Sequence, residues 1–190
     1  MKKRILGIDP GSCITGFGIL EVDEQNIVCI TGGCLRLTGK TAYEKLGKLL
    51  QYLEELIDLY RPSEMAIESI FMHKNANSAL KLGQARGVAL AIAMKKSLEV
   101  FEYAPRQVKL AVVGKGSADK MQVQYMVSQL LKLENVLQAD AADALAIALC
   151  HAHIQTGWGG MIAERSLAVF SRKRKASKRN HKWPNYQIVK

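Results

Sequence analysis

Four carboxylates attract attention because apolar sequence delivers each of them. Asp9 closes the run Ile5-Leu6-Gly7-Ile8 and is followed at once by Pro10-Gly11-Ser12. Glu68 closes Met65-Ala66-Ile67. Asp140 and Asp143 stand three apart in "QADAADALAIA", residues 138–148. A lone acid at the end of a buried strand serves as a cap, as part of a phosphate loop or as a metal ligand. Four acids embedded in apolar sequence repel one another unless a cation lies among them. Oxygen ligands without Cys or His suit Mg²⁺ or Mn²⁺. Two such ions can hold a scissile phosphate, one activating water and the other steadying the leaving oxygen. The quartet therefore points to metal-dependent phosphodiester chemistry. Asp140, near a helix start, is equally well read as a cap that favours the helix dipole. Asp143 lies inside an apolar helix, where a cap has no use.

The elements that must hold these acids follow from the hydrophobic pattern. Residues 4–9, 15–22 and 26–36 read as strands, the last two joined by a hairpin turn over 23–26. Leu46, Leu49, Leu50, Leu53, Leu56, Ile57 and Tyr60 then recur at three and four, the stripe of a helix over 42–60 that ends before Pro62. Met65-Ala66-Ile67 is a short strand, residues 76–96 a long helix and 100–103 a fifth strand. Helices are expected over 105–112, from a Ser117 cap to Leu133, and over 139–156. The order predicts an α/β protein: a mixed five-stranded sheet flanked by helices. Strands one and four become parallel neighbours through a helical crossover. Asp9 and Glu68 then sit side by side at carboxyl ends of strands, where ligands gather in such sheets. Gly11, Gly16 and Gly18 are expected to keep bulk away from that site so that a substrate can approach.

Bulk properties narrow the class. The chain of 190 residues is 48% apolar, enough for one full core. No apolar run of spanning length occurs, which argues against a membrane segment. The basic start Met1-Lys2-Lys3-Arg4 is not expected to be a signal peptide, because Asp9 and Pro10 break the apolar stretch. A cytoplasmic protein is expected. Cys13, Cys29, Cys34 and Cys150 form no CxxC pair and read as small core residues in a reducing compartment. His151 and His153, two apart, point to different sides of a helix and do not suggest a shared metal.

The net charge of +10 is uneven: residues 163–190 carry nine Lys or Arg against Glu164 alone. A domain over 1–157 and a basic C-terminal tail over 158–190 are expected. The tail implies a polyanionic partner, most simply nucleic acid. A solvated tail that binds nothing specific is the plainer reading of the same charges.

"ILGIDPGSCITGFG", "AIESIFMHKNANSALKLGQARG", "VKLAVVGKGSADK" and "QADAADALAIA" resemble, in order and spacing, the RuvC family of Holliday junction resolvases, from about Ile5 to His153. The resemblance implies a ribonuclease H-like fold and a homodimeric, Mg²⁺-dependent endonuclease. Such an enzyme makes paired symmetric nicks in opposing strands of a four-way DNA junction, in recombination and repair. Asp9, Glu68, Asp140 and Asp143 fall on the family's catalytic metal ligands, with two Mg²⁺ ions per site and Mn²⁺ able to substitute. The RuvA–RuvB branch-migration complex of bacteria is the implied partner. Ser69 and His73 depart from the family pattern next to the site.

Further roles follow with the resemblance in view. Phe71, beside Lys74 in a polar loop, is expected to wedge against an unpaired base rather than tuck into the core. Ala79, Gly83, Gly87 and Ala91 form a small-residue stripe, read as a two-fold dimer contact in preference to packing on the chain's own sheet. Lys109, Lys115 and Lys120 are expected to contact DNA phosphates, with solvated lysines in a flexible loop as the plainer reading. Lys109 or Lys120 can also stabilise transition-state charge. Arg86 is placed with them. The Gly114-Lys115 pair is no phosphate loop of the Walker type, since Gly116 follows it.

Three other functions share parts of the pattern. The opening stretch suits an actin-like or sugar-kinase ATPase, but that class needs a second phosphate loop and a related second domain. An RNA-processing nuclease of the same fold shares the acids but not the block around Phe71. A non-catalytic nucleic-acid binder has no use for four acids in a phosphate-binding cleft.

Overall fold

A computed structural model describes residues 2–24, 26–69, 76–133 and 137–157. Phe71, His73, Lys74 and the tail over 158–190 lie outside the described residues. β1 (Lys3–Asp9), β2 (Ile14–Val22) and β3 (Ile27–Arg36) form an antiparallel meander. α1 (Ala42–Tyr60) crosses over to β4 (Glu64–Glu68), and α2 (Ala76–Lys95) crosses to β5 (Glu99–Tyr103). β4 pairs parallel with both β1 and β5, giving the order β3-β2-β1-β4-β5. α3 (Pro105–Val113), α4 (Lys120–Leu130) and α5 (Ala139–Thr156) complete the chain. The mixed five-stranded sheet flanked by helices is the expected one.

Two cores lie on opposite faces of the sheet. Strand side chains alternate, so Leu6 and Ile8 face α1 and α2, while Ile5 faces α5. Leu6, Ile8, Met65 and Ile67 are fully buried against Leu49, Leu53, Ala89 and Ile92. Each such large side chain contributes about 1.5–3 kcal/mol on removal from water. From Ala141 to His153 every residue of α5 except Asp143 is buried, as suits a central helix. It lies on β1, β2 and β3, and α3 and α4 pack against it as well.

Two local expectations are corrected. The helix expected from Ser117 starts at Lys120, because Asp119 accepts from the Gln122 backbone N–H at 2.9 Å and Gln122 reciprocates at 3.0 Å. That reciprocal capping box satisfies two terminal donors, which Ser117 does not match. In α1, Leu50 is 41% exposed although Leu49, Leu53 and Ile57 are buried. It sits a full 100° step around the helix from Leu49, off the core stripe.

Candidate active site

The alternation that buries Leu6 and Ile8 on one face turns Asp9 to the other, toward α5. Glu68 has the same parity in β4. Ile8 and Ile67 are parallel partners, so the two acids occupy the next step at the ends of neighbouring strands. Pro10 has no amide hydrogen and cannot continue the ladder. The turn after it is fixed by Thr15, a fully buried residue. Its hydroxyl donates to the Gly11 carbonyl and accepts from the Gly11 N–H, both at 3.2 Å.

α5 brings the other two acids. Its N-cap is Gln138, whose side chain makes no capping bond, so Asp140 lies inside the first turn and Asp143 one turn on. Asp140 therefore supports the helix dipole without being the cap. Glycines set how closely this helix meets the sheet. A Cβ on Gly16 would lie 1.9 Å from the Asp140 carbonyl oxygen, and one on Gly18 2.5 Å from Leu145 Cδ2. A Cβ on Gly7 would lie 2.2 Å from the Ala144 carbonyl oxygen. Gly16 and Gly18 thus make room for α5, not for a substrate as expected. Gly11 is small because of its own turn, where a Cβ would meet the Ile14 carbonyl oxygen at 1.9 Å.

The result is an acid cluster. Asp9, Asp140 and Asp143 each offer a carboxylate oxygen, and these lie within 4.8 Å of one another. Glu68 stands outside that trio but lines the same cavity of about 230 Å³, with Asp9, Asp143, Lys109 and Lys120. Burial, then the charges of Glu68, Asp143 and Asp140, push the Asp9 carboxyl up to about 7; Lys120 opposes them. Lys120 Nζ lies 2.7 Å from Asp143 Oδ2. That hydrogen bond holds the ammonium above its usual range, against the effect of burial. The donor set fits a hard divalent cation. Three half-buried carboxylates converge from a strand and a helix with no sulfur or imidazole among them, and Lys120 opposes their mutual repulsion.

The remaining expected residues fall in different places. Lys109 is half-buried at the cavity wall. Lys115 is exposed between α3 and α4. Gly114 caps α3 with a left-handed φ of 75°, which explains that glycine without any phosphate. Arg86 Nε donates to the Glu68 carbonyl oxygen at 3.4 Å, and its guanidinium pairs with Glu102. Gly83, Gly87 and Ala91 are exposed on α2, with Ala79 half-buried, and an added Cβ at either glycine meets nothing within 4 Å. The stripe does not pack on its own sheet.

Sequence reasoning missed the Lys120–Asp143 pair, the Thr15 lock and the role of Gly7. It also missed a polar chain behind α5. His151, fully buried, lies 2.7 Å through Nε2 from Glu64 Oε2 and 2.6 Å through Nδ1 from the Tyr103 hydroxyl. No local pattern marks such pairings, because each joins residues distant in sequence.

A family model described as "Crossover junction endodeoxyribonuclease RuvC" matches residues 5–151. The chain belongs to the RuvC family of crossover junction endodeoxyribonucleases. A RuvC enzyme of Chromohalobacter salexigens is 50% identical over 183 residues, covering 96% of this chain and 94% of that one. One from Marinobacter nauticus is 55% identical over 150 residues, 79% of this chain and 86% of that one. Among solved structures, T. thermophilus RuvC in complex with a Holliday junction substrate superposes with a TM-score of 0.77 at 32% identity. The match covers 83% of this chain and 97% of that one. The yeast mitochondrial Holliday junction resolvase Ydc2 shares the fold, with a TM-score of 0.56 at 11% identity, over 90% of this chain and 86% of that one. The sheet and its flanking helices are thus the ribonuclease H-like fold of the RuvC resolvases, and the chain is a nuclease of that class. Among the described residues, no helix is long and apolar enough to cross a membrane.

Proposed function

We propose that this chain resolves four-way DNA junctions by metal-dependent hydrolysis at the Asp9, Glu68, Asp140 and Asp143 cluster. The observation that carries the reading is the convergence of the Asp9, Asp140 and Asp143 oxygens within 4.8 Å beside two lysines. The four acids would hold two Mg²⁺ ions, with Mn²⁺ able to replace them. When bound, such ions activate water and steady the leaving oxygen of an in-line displacement.

The chain's own groups do the positioning. Asp9 is fixed by β1 and by the locked turn after it, so it needs no reorganisation when the phosphate arrives. Asp140 and Asp143 share the rigid face of α5. Lys120, held by Asp143, places a cation at the edge of the acids, where charge grows on the transferring phosphoryl group. Lys109 adds a second cation on the same wall. Arg86 steadies the end of β4 through the Glu68 carbonyl and so positions the Glu68 side chain.

Two symmetric nicks need two sites at a fixed separation. A homodimer supplies them, and the Ala79–Gly83–Gly87–Ala91 stripe, exposed from Gly83 on, is its interface. Phe71 and Lys74 engage the junction, with Lys115 on an outer phosphate. The basic segment over 158–190 adds sequence-independent phosphate attraction to the domain over 1–157. The enzyme works in the bacterial cytoplasm with the RuvA–RuvB complex.

The test replaces each acid in turn, as Asp9→Asn, Glu68→Gln, Asp140→Asn and Asp143→Asn, and separates binding from cutting. All four are expected to bind a labelled four-way junction within a few-fold of the parent and to lose cleavage in Mg²⁺. Retained cleavage in any of them removes that residue from the metal site. Retained cleavage in all four overturns the mechanism.

A further inference from the structure

The β1–β2 turn has a cavity on each side. Asp9 opens on one of them. On the other, Ser12 and Cys13 of the same turn meet Lys40 and Lys45 at the start of α1, and Lys81 and Gln84 of α2, around about 250 Å³. Among the described residues, no acidic side chain lines this second cavity. The nearest acid in sequence, Glu44, is turned onto the Lys40 backbone N–H at 2.8 Å as part of the α1 cap. Lys45 Nζ lies 3.6 Å from Cys13 Sγ, a weak partner for an ammonium. Lys40 and Lys81 are exposed, and Lys45 is half-buried. Three cations therefore surround one concavity at the amino end of a 19-residue helix, whose dipole adds to the same field.

Three like charges around a hollow repel one another, as the four acids next door do, and the opposite sign of ligand relieves them. One cavity is lined by Asp9 and the other by Ser12 and Cys13 of the turn that follows it, and that succession along the chain gives the ligand's nature. From the nuclease activity proposed above, a phosphate sits at the acids. A nucleic-acid strand carries another phosphate at every nucleotide, so a strand crossing Pro10–Cys13 presents a second one to the lysines.

We infer that the Lys40–Lys45–Lys81 cavity binds a backbone phosphate of the strand being cut, neighbouring the scissile one. The inference rests on the junction-cutting reading and goes beyond it. The site sets which linkage of the strand lies at the acids, by gripping the chain across a turn that Thr15 keeps rigid. Its cations attract every DNA sequence alike, so it fixes register without reading bases.

The experiment measures junction binding by the full chain carrying Asp9→Asn, over about 50 to 200 mM salt. Lys45→Ala with Lys81→Ala is compared with Lys45→Arg with Lys81→Arg. The alanine pair is expected to weaken binding about tenfold at the lower salt and to reduce the salt slope by about one. The arginine pair keeps both values. Single neutral methylphosphonate linkages are then walked along the cut strand. One linkage close to the scissile bond is expected to weaken binding by the lysine-intact protein and to leave the alanine pair unaffected. Alanine variants with unchanged affinity and slope, where the Asp9→Asn chain binds junctions and the unsubstituted chain cuts them, overturn this inference alone. So does the lack of any linkage coupled to the lysines. An unsubstituted chain that neither binds nor cuts a junction overturns this inference and the proposed function together.

Discussion

Lys120 Nζ and Asp143 Oδ2 lie 2.7 Å apart, which sets a half-exposed cation at the edge of the acid cluster. The pair joins the first residue of α4 to the second turn of α5 and ties the wall of the cavity to its floor. Lys120→Ala is expected to lower single-turnover cleavage by about 10²–10³, the usual cost of losing one preorganised charge at the transition state. Junction affinity is expected to change far less. Lys120→Arg should recover part of the rate. A loss confined to affinity would make Lys120 an ordinary phosphate contact.

Gly7 and Gly87 make opposite predictions for the same substitution. Gly7→Ala drives a Cβ to 2.2 Å from the Ala144 carbonyl and 2.8 Å from Ala148 Cβ, so α5 must move and take Asp140 and Asp143 with it. A loss of about 1–3 kcal/mol is expected, together with cleavage. Gly87→Ala meets nothing and removes a helix glycine, which is worth up to about 1 kcal/mol of added stability. Thermal unfolding of the two variants checks the pair.

Gly87→Arg tests the dimer. The monomer accepts the side chain, since nothing lies within 4 Å of the new Cβ. A two-fold contact built on that stripe does not. Sedimentation is expected to show a folded monomer, and junction cuts should become single and unpaired. A dimer that persists with paired cuts moves the interface elsewhere.

Arg86 separates positioning from DNA contact. Its Nε reaches the Glu68 carbonyl and its guanidinium is already paired with Glu102. Arg86→Ala should lower the cleavage rate at saturating protein more than it lowers affinity, and Arg86→Lys should not rescue it, since an ammonium lacks the planar fork. The reverse pattern, weak binding with a normal rate, returns Arg86 to the DNA.

The pH dependence of stability divides between two regions. Burial pushes His151 and His153 below the usual 6.5, despite the Glu64 contact to one and the Ala111 carbonyl at the other. The unfolded chain therefore takes up protons first as pH falls below 6.5, and stability drops from there down to the folded values. Burial alone would raise Glu64, but hydrogen bonds from Lys3 and His151 hold it below 4.5, so a further loss begins under that pH. Asp9 has the opposite sign in metal-free protein. Its folded value of about 7 stands above 3.8, so its protonated form favours folding and stability is lost as pH rises between the two. Asp9→Asn removes that term. Urea midpoints without metal should then be higher than the parent's at pH 8 and fall more steeply below pH 6.5. A variant that tracks the parent at every pH contradicts the assigned crowding at Asp9.

The strands, the helical crossovers and the side-by-side acids were legible because each rests on local rules: alternation for β1 and β4, the three-four stripe for α1, the three-residue step from Asp140 to Asp143. Asp9 illustrates the reach of such rules. Its parity in β1 already decided which face of the sheet it would occupy. What lay beyond reach depended on how far apart two elements settle. Gly16 and Gly18 read as open space for a substrate until α5 was seen against them. The Lys120–Asp143 pair lay out of reach because nothing near Lys120 in sequence announces Asp143. Ser117 and Asp119 compete for one cap, and the reciprocal bond with Gln122 decides it.

The most direct measurement incubates the purified chain and its Asp9→Asn variant with a labelled four-way junction and a matched linear duplex in Mg²⁺. Paired symmetric nicks in the junction alone, lost in the variant while junction binding persists, are the predicted result. Cleavage that survives Asp9→Asn, or equal cutting of the linear duplex, contradicts the account.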